Sequence, residues 1–454
     1  MKKQLLVITS MMMMTTSIHA QSFETATQAV KNMRVGWNLG NTLDSNSGDV
    51  NNMWIEAYTS RKPSDYEKAW GQPITKPELI KMMKDAGFNT IRVPVTWYPH
   101  MEAKITSLKW DKEKNDIGTK IQEAWMKRVH EIVDYVISQG MYCIVNIHHD
   151  TGAANTAWLI ASEEDYAKEK DRFEAVWTQI AEEFKDYDEH LLFEAYNEML
   201  DPYNSWCFAS YGTSARYNTK VATSAYNAIN SYAQSFVNAV RATGGNNAKR
   251  NLIVNTYGSC SGGGTWNPHL KDPLKEMKYP TDAAGAGHII FQVHTYPSLV
   301  DDNKNNRPIS KIKEEVNDMI DAWKTYLVSK GAPVIVGEWG TSNVDAKVTD
   351  YDARRALMLK FAEYFVQQCN DNDIATIYWM GLSDGEHRSV PEFNQSELKD
   401  AIIKGYYGEE GYSGVSPLIY KPLSDTPLFD LQGRRITKPQ RGIYIQNGRK
   451  VFVK

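Results

Sequence analysis

Residues 190–200 read HLLFEAYNEML. The apolar run that begins at Leu191 continues through Tyr196 and stops at Asn197 and Glu198, so a stretch typical of a buried β-strand is followed by an amide and a carboxylic acid. A buried charge is costly unless it is paired or used. A lone Asn-Glu pair also fits a helix N-cap or an ordinary loop acid, so the rest of the chain must decide between these readings.

Similar apolar runs recur along the chain, and nearly every one is followed by an amphipathic stretch. The eight runs are VGWNLG (35–40), NTIRVPV (89–95), MYCIVNIHHD (141–150), HLLFEAYNEM (190–199), NLIVNTYG (251–258), HIIFQVHTYP (288–297), PVIVGEWG (333–340) and ATIYWMGL (375–382). Helical periodicity is present near 76–87, 117–139, 165–186, 218–243, 310–330 and 351–371. Apolar strands that alternate with helices predict a parallel sheet covered on its outer face. Eight such units predict a single closed (β/α)8 barrel.

The composition excludes several classes of function. The chain has 454 residues, of which 42% are hydrophobic and 23% charged, and its formal net charge is -4. This charge argues against a nucleic-acid partner, and no basic stretch interleaved with aromatics is present. No GxGxxG or Walker-type loop follows a strand, which argues against a nucleotide cofactor. The 13 Trp and 25 Tyr residues are unusual, and many lie beside Gly, Asn and Pro. Such loop aromatics serve as binding platforms or pack beneath loops.

The N-terminus predicts export. Lys2 and Lys3 precede an apolar stretch that ends at Ala20, a pattern typical of a secretory signal peptide over residues 1–20. No other run of about 20 apolar residues exists, so we expect no integral membrane span. Cys207 and Cys260 lie in Gly/Ser/Trp-rich loops, and either a disulfide or two free thiols fits their spacing. The sequence contains no CxxC motif, so we expect no structural zinc site.

Polar and aromatic residues stand at almost every strand end. In a (β/α)8 barrel these ends meet at one mouth, where catalytic groups lie. Two acids, Glu198 and Glu338, stand out, and glycoside hydrolysis uses a pair of carboxyl groups that flank the cleaved bond. If the anomeric configuration is retained, the two carboxyl groups are about 5–5.5 Å apart. The other polar and aromatic residues at the strand ends are of types that can hydrogen-bond to these acids or contact a sugar: Asn38, Arg92, His148, His149, Asn197, His294, Tyr296, Trp339 and Trp379.

Metal binding is the competing use of the HHD sequence at 148–150. Adjacent residues of a regular strand point to opposite faces, so His148 and His149 would not both reach one ion. We therefore expect no metal and no cofactor, and a hydrogen-bonding role for the inward histidine.

Together these motifs resemble glycoside hydrolase family 5, the retaining (β/α)8 endoglucanases and their relatives. The resemblance covers roughly residues 25–405 and rests on GWNLGNTLD (36–44), IRVPVTW (91–97), NIHHD (146–150), YNEM (196–199), VHTYP (293–297), GEWG (337–340) and YWMGLSDG (378–385). It implies that Glu198 is the acid/base and Glu338 the nucleophile. The implied supporting residues are Arg92, His148, Asn197, His294 and Tyr296. We expect substrate contacts from Trp37, Asn38, Trp97, His149, Trp339 and Trp379, with Trp206 and Trp266 as weaker candidates.

The resemblance fixes the reaction better than the substrate. The GWNLGNTLD opening and the segment 70–97 look most like the β-1,4-glucanase branches, so we expect a monomeric endo-β-1,4-glucanase that acts on cellulose or related β-glucans. An endo-β-mannanase or a xyloglucanase on the same scaffold is the alternative. A catalytically silent glycan-binding protein is a third reading, but such a protein has no need of two uncompensated acids.

The C-terminal segment is a separate question. We predict a signal peptide over 1–20, a catalytic domain over 21–408, and a linker with a β-rich appendage over 409–454. Asn447 and Gly448 are a two-residue hairpin signal between alternating flanks. The tail resembles the C-terminal sorting domain of cargo for the type IX secretion machinery of certain Gram-negative bacteria. This resemblance implies a secreted or cell-surface protein. A small β appendage packed on the barrel is the alternative.

Overall fold

The computed structural model describes residues 23–105, 108–114, 117–212, 217–342 and 351–415, together with four short strands between 428 and 453. The predicted signal peptide lies outside the described residues. No helix in the described part of the chain has the length and apolarity to cross a bilayer.

Eight parallel strands close into a barrel in which each strand pairs with its neighbours in sequence and the last pairs with the first. The strands are β1 (Val35–Asn38), β2 (Thr90–Val93), β3 (Tyr142–Asn146), β4 (Leu191–Glu194), β5 (Leu252–Cys260), β6 (Ile289–Thr295), β7 (Val334–Trp339) and β8 (Ala375–Tyr378). The predicted (β/α)8 barrel is confirmed. Most strands are shorter than the apolar runs that predicted them.

The helices are α1 (Ala26–Met33), α2 (Trp54–Tyr58), α3 (Pro63–Glu67), α4 (Pro77–Asp85), α5 (Glu123–Ile137), α6 (Glu163–Glu183), α7 (Thr219–Ala242), α8 (Asp272–Glu276), α9 (Ile309–Tyr326), α10 (Tyr351–Asp371), α11 (Glu386–Ser389) and α12 (Ser396–Val415). Their starts follow local chemistry. Ser162 and Asn218 accept hydrogen bonds from backbone N–H groups in the first turns of α6 and α7. Pro77 opens α4, where its missing N–H costs nothing.

The barrel has two apolar cores because successive strand residues point to opposite faces. Ile144 and Leu192 face inward with Ile253, Ile290, Ile335 and Ile377, and α1 joins this inner cluster, which it closes at the N-terminal end of the strands. Cys143 and Val145 face outward into the layer between strands and helices. The N-terminal half of the barrel interior is therefore filled with apolar side chains, and the functional groups lie at the C-terminal ends of the strands.

The C-terminal residues described form a four-stranded sheet in the order β10-β9-β11-β12. Its strands are β9 (Leu428–Phe429), β10 (Arg435–Ile436), β11 (Gly442–Gln446) and β12 (Arg449–Val453). β11 and β12 pair antiparallel with Gln446 opposite Arg449, as the hairpin signal predicts, although residues 447–448 lie outside the described residues. A non-helical residue, Gly408 (φ 69°), kinks α12 at the predicted end of the catalytic domain. The domain limits themselves stay a prediction.

Candidate active site

The proposed acid lies beyond its strand rather than at the strand's last residue. β4 ends at Glu194, and Asn197 and Glu198 follow in a loop. The amide of Asn197 donates to the carbonyl of Ile147, just after β3, at 2.9 Å, which holds this loop against the neighbouring strand end. The expectation that Glu198 itself ends a strand is therefore wrong, but the loop keeps the carboxyl at the barrel mouth.

Glu338 faces the barrel axis because β7 carries one extra residue against β6. The register of the two strands shifts between Val293 and His294, and His294 pairs with Glu338. A β-bulge of this kind turns the following residues to the other face. Glu338 therefore faces inward beside His294, and Trp339 turns outward, where it packs on Phe361 of α10.

Arg92 is the centre of the hydrogen-bond network beneath the mouth. Its Nη1 donates to Oε1 of Glu338 at 2.7 Å and to Oδ1 of Asn38 at 2.9 Å. Its Nε and Nη2 donate to the two oxygens of Glu194 at 2.6 and 2.8 Å, and Nη2 also donates to Asn197 at 2.8 Å. Arg92 and Glu194 are fully buried. Burial lowers the pKa of Arg92, but the two carboxylates reverse this, and the net shift is upward.

The two candidate catalytic carboxyls lie close together in different surroundings. An oxygen of Glu198 and an oxygen of Glu338 are within 4.8 Å of each other. Besides the bond from Arg92, Glu338 accepts one from the hydroxyl of Tyr296 at 2.8 Å, and its side chain is 6% exposed. Oε1 of Glu198 lies 2.8 Å from Nδ1 of His294, and this side chain is 22% exposed.

These surroundings determine how each carboxyl holds its proton. Burial raises the pKa of Glu198 to about 7, against the opposing charge of Arg92 and with a further upward contribution from Glu194. Burial also raises the pKa of Glu338, and the net shift stays upward although His294, Arg92 and the Tyr296 hydroxyl oppose it. Glu338 thus receives two direct hydrogen bonds that favour its ionised form, and Glu198 is the carboxyl that retains a proton near neutrality.

The three histidines at the mouth favour their neutral forms, and the rings of His148 and His294 are hydrogen-bonded. Burial lowers the pKa of His294 to about 4 and that of His149 to about 4. Burial takes the pKa of His148 well below its ordinary value, and the neighbouring His149 and Arg92 lower it further. Nδ1 of His148 lies 3.1 Å from the amide nitrogen of Asn146, and its Nε2 lies 4.0 Å from Glu338.

Four predicted substrate contacts are buried and unable to touch a sugar. Trp37 and Trp97 are 0% exposed, Trp339 is 1% exposed and Asn38 is 0% exposed. The indole N–H of Trp37 donates to the carbonyl of Met380, and that of Trp97 to the carbonyl of Asn146. The prediction that these residues contact the substrate is wrong, because the protein encloses their side chains. Trp339 packs on Phe361 of α10, and the amide of Asn38 donates to the carbonyl of Gly337 in β7.

Trp379 is the strand-end tryptophan that stays partly exposed. It follows β8, and its ring stacks on His148 with centroids 5.8 Å apart and an interplanar angle of 10°. Gly40 makes room for the indole, because a Cβ at that position would stand 2.8 Å from it. Trp70, which the sequence analysis did not single out, lies 5.4 Å from His149 and extends this aromatic side of the mouth.

A cavity of about 360 Å³ adjoins Glu198 on the side of β5 and β6. Trp206 and Cys207, from the loop after β4, line it together with Cys260 and Tyr296. Trp206 is 47% exposed, and Trp266 from the loop after β5 is 67% exposed. Cys207 and Cys260 are free thiols. Aromatic surface is therefore present on both sides of the two acids.

Comparison with known proteins identifies the family. The model of the cellulase family, glycosyl hydrolase family 5, matches residues 48–384. The chain belongs to glycosyl hydrolase family 5. Endoglucanase A of Clostridium longisporum is 32% identical over 410 residues, which are 86% of this chain and 67% of that protein.

Solved family 5 structures are similar over most of the chain. A GH5-4 broad specificity endoglucanase from an uncultured bacterium is 55% identical with a TM-score of 0.76, over 87% of this chain and 98% of that one. A mutant of the family 5 enzyme PbGH5A of Prevotella bryantii, in complex with a xyloglucan tetradecasaccharide, is 38% identical with a TM-score of 0.70, over 85% and 99% of the two chains.

In this family 5 site, sequence reasoning missed the buried polar layer below the acids. Glu194, Asn146, Asn255 and Gln292 are all 0% exposed on inward strand positions. The signal for Glu194 was present in the quoted stretch, since it is a carboxylate inside an apolar strand run that must meet a cation. The amides carried no comparable signal, because a single buried amide fits any hydrogen-bonded core.

Two groups of histidine and carboxylate atoms in the described residues lie close enough to hold an ion: Asp44 with His148 and His149, and Glu198 with His294 and Glu338. The oxygens of Asp44 accept from the amides of Asn41 and Thr42 at 3.0 and 2.7 Å. Those of Glu338 accept from Arg92 and Tyr296. Hydrogen bonds thus occupy the carboxylate oxygens of both groups. His148 and His149 lie in one group, contrary to the expectation from strand alternation, because both follow the end of β3 at Asn146.

Proposed function

We propose that this family 5 hydrolase is an endo-β-1,4-glucanase that retains the anomeric configuration. The observation that carries the proposal is the pair of carboxyls within 4.8 Å of each other in opposed surroundings. A proton donor and a nucleophile of one reaction need pKa values that are pushed apart, and a short separation leaves no room for a water between them.

In the proposed reaction, Glu198 protonates the glycosidic oxygen as Glu338 attacks the anomeric carbon. The C–O bond to the leaving glucan breaks, and a covalent glycosyl-enzyme forms. Glu198, now ionised, removes a proton from water, which attacks the same carbon and releases Glu338. Arg92 and Tyr296 hold the nucleophile ionised between turnovers. Asn197 has its Oδ1 occupied by Arg92, so its Nδ2 is the donor it offers to a sugar 2-hydroxyl.

The aromatic surfaces on both sides of the acids support internal cleavage of a long chain. Trp379 and Trp70 lie on one side, and Trp206 and Trp266 lie on the other. Equatorially linked glucans present flat apolar ring faces that such side chains cover. An enzyme that binds sugars on both sides of the cleaved bond produces oligosaccharides from the interior of the polymer.

Two variants test the mechanism. Glu338→Gln should abolish turnover and leave folding intact, because only the covalent step is lost. Glu198→Ala should lose about 10²–10⁴-fold on cellulose, the typical contribution of general acid catalysis. It should recover on an aryl cellobioside whose leaving group needs no proton, and added azide should yield a β-glycosyl azide. An α-azide would indicate inversion, and an active Glu338→Gln would remove that residue from the role of nucleophile.

The substrate preference is tested by comparing kcat/KM on cellohexaose and mannohexaose. Mannose differs from glucose at the 2-hydroxyl, so discrimination rests on few groups such as Asn197, and a polar group left unpaired by the wrong sugar discriminates strongly. We expect cellohexaose to be preferred, and a tenfold preference for mannohexaose would overturn the glucanase assignment. Xyloglucan is a second candidate substrate, because the 38% identical PbGH5A structure holds a xyloglucan oligosaccharide.

We further propose that the chain is exported through its N-terminal segment and sorted by its C-terminal sheet to the cell surface or beyond, in a Gram-negative host with type IX machinery. The alternating strands at 428–453 support a compact tail of this kind. Removal of residues 416–454 should leave the enzyme in the periplasm of such a host, as cell fractionation would reveal. Normal surface delivery of the truncated chain would contradict the proposal.

A further inference from the structure

The buried carboxylate of Glu194 is not a reacting group in the proposed mechanism. It nevertheless accepts more hydrogen bonds than Glu198 or Glu338. Its Oε2 accepts from Nε of Arg92 at 2.6 Å. Its Oε1 accepts from Nη2 of Arg92 at 2.8 Å and from the side-chain amides of Asn146 and Asn255, each at 3.1 Å. Burial raises the pKa of Glu194, but Arg92 outweighs burial and the net shift is downward, so the group is a fixed anion.

Glu194 determines which N–H groups of the Arg92 guanidinium reach Glu338. An arginine has five N–H donors in a planar fork, and the side facing Glu194 is engaged by two parallel bonds. Only Nη1 is left for Glu338, and it also serves Asn38. The nucleophile therefore receives one charged hydrogen bond on one oxygen, and its other oxygen is held by Tyr296. If Glu194 did not hold the fork, Arg92 would be free to turn both arms toward Glu338 and reduce its nucleophilicity.

Glu194 also sets the charge of the site. With Glu198 protonated, Arg92 is balanced by Glu194, and the charge of Glu338 is left to meet the positive charge that develops on the sugar. The negative charge of Glu194 adds to the upward shift in the pKa of Glu198. The other titratable groups that face Glu198 are Arg92 of β2, Cys260 of β5, His294 of β6, Tyr296 after β6 and Glu338 of β7.

We propose that Glu194 is a positioning residue of the hydrolysis, which holds the fork of Arg92 and offsets its charge so that Glu338 attacks and Glu198 keeps its proton. The proposal rests on the roles proposed above for Glu198 and Glu338. It adds a third carboxylate to the reaction, one that acts through Arg92 and never touches the substrate.

The test is the pH dependence of kcat/KM for Glu194→Gln. Loss of the anion lowers the pKa of Glu198, so the alkaline limb moves to lower pH. The unbalanced Arg92 favours ionised Glu338, so the acidic limb also moves to lower pH. We expect both limbs to shift by about half a unit or more, since a nearby unit charge commonly shifts a pKa by that amount, and kcat to fall about tenfold or more.

Glu67 provides a matched control. It is a buried carboxylate that also accepts two bonds from one arginine, Arg128, at 3.0 and 2.8 Å, in the outer helix layer. We expect both Glu67→Gln and Glu194→Gln to lower the Tm, but Glu67→Gln should leave both pH limbs in place. A purely structural role for Glu194 would make the two variants behave alike.

The outcomes separate this proposal from the one on which it rests. If Glu338→Gln is inactive while Glu194→Gln keeps wild-type limbs and a kcat within threefold, only the role of Glu194 is overturned. If Glu338→Gln is active, the assignment of the nucleophile fails first. If Glu194→Gln does not fold, Glu194→Asp decides. The shorter acid keeps the charge and the limbs but withdraws from Arg92, so we expect at least a tenfold fall in kcat, and activity within threefold of wild type overturns the proposal.

Discussion

Replacement of Tyr296 by phenylalanine should move the acidic limb of the pH profile upward. The hydroxyl donates to Oε2 of Glu338 at 2.8 Å. Desolvation of this hydroxyl and the negative charge of Glu338 raise the pKa of Tyr296 well above its ordinary value, so it remains a donor throughout the assay range. A hydrogen bond to a charged group contributes about 1.5–3 kcal/mol. One pKa unit corresponds to about 1.36 kcal/mol, so the full range is about 1–2 units.

The lower end of that range is the better expectation. Tyr296 is 37% exposed, so water replaces part of the lost bond, and Arg92 still holds the other oxygen of Glu338. The sign follows from which form is stabilised. The hydroxyl favours the ionised carboxylate, so its removal raises the pKa of Glu338 and the enzyme loses its nucleophile at a higher pH. We therefore expect an upward shift of about 1 unit.

The assay is kcat/KM on cellohexaose across pH, with the Tm measured for each variant. Tyr135→Phe is the control, because Tyr135 also donates to a carboxylate, Glu131, at 2.7 Å, but on the exposed surface of α5. It should leave both limbs unchanged. We expect a shift of about 1 unit in the acidic limb of Tyr296→Phe. A folded variant whose acidic limb stays within about 0.3 unit of wild type would refute the assignment of Tyr296 as a support of the nucleophile.

Four further predictions follow from the same geometry. Burial raises the pKa of Glu198 to about 7, and only its neutral form can donate a proton, so kcat/KM should fall above about pH 7. An alkaline limb above about pH 9 on the pH–rate profile would contradict this role. Trp379→Ala should reduce kcat/KM on cellohexaose about ten- to seventyfold, since a ring face of roughly 50–100 Å² contributes about 25 cal/mol per Å²; an unchanged value would remove Trp379 from the sugar site. Treatment with EDTA should leave the rate unchanged, because the candidate ligand oxygens of Asp44 and Glu338 are engaged in hydrogen bonds, and loss of activity that a divalent metal restores would be the opposite result. A chain that ends at Val415 should keep its kcat and Tm, because all barrel strands precede that residue, whereas aggregation would indicate a packed appendage.

The fold was predictable because its signals are repeated. Eight apolar runs of strand length alternate with amphipathic stretches, and a misread boundary in any one of them leaves the number and order unchanged. The strand bounds were less predictable. The run from Leu191 to Tyr196 is continuously apolar apart from Glu194, so hydrophobicity alone does not reveal that pairing stops at Glu194.

The tryptophans reveal a different limit of sequence reasoning. Trp37, Trp97 and Trp379 all lie within or shortly after an apolar strand run, and position along the chain does not distinguish them. The first two are fully buried, with their indole N–H groups bonded to the carbonyls of Met380 and Asn146, and Arg388 of α11 lies over the ring of Trp37. Trp379 stays partly exposed beside His148. Because the difference depends on groups distant in sequence that enclose each ring, no local pattern predicts it.

The orientation of Glu338 shows how the sequence can point to an acid at the barrel mouth without revealing why its side chain faces inward. In a regular β7, the alternation that points Ile335 into the barrel would point Glu338 outward, into the helix layer. The bulge at Gly337 reverses the alternation, and a glycine is needed there, since a Cβ would stand 2.3 Å from the side chain of Gln292. Gln292 in turn lies 3.3 Å from His294, which lies 2.8 Å from Glu198. The missing side chain at Gly337 thus aims the proposed nucleophile and admits the amide that lies against the histidine of the proposed acid, so one small residue couples the placement of both carboxyls.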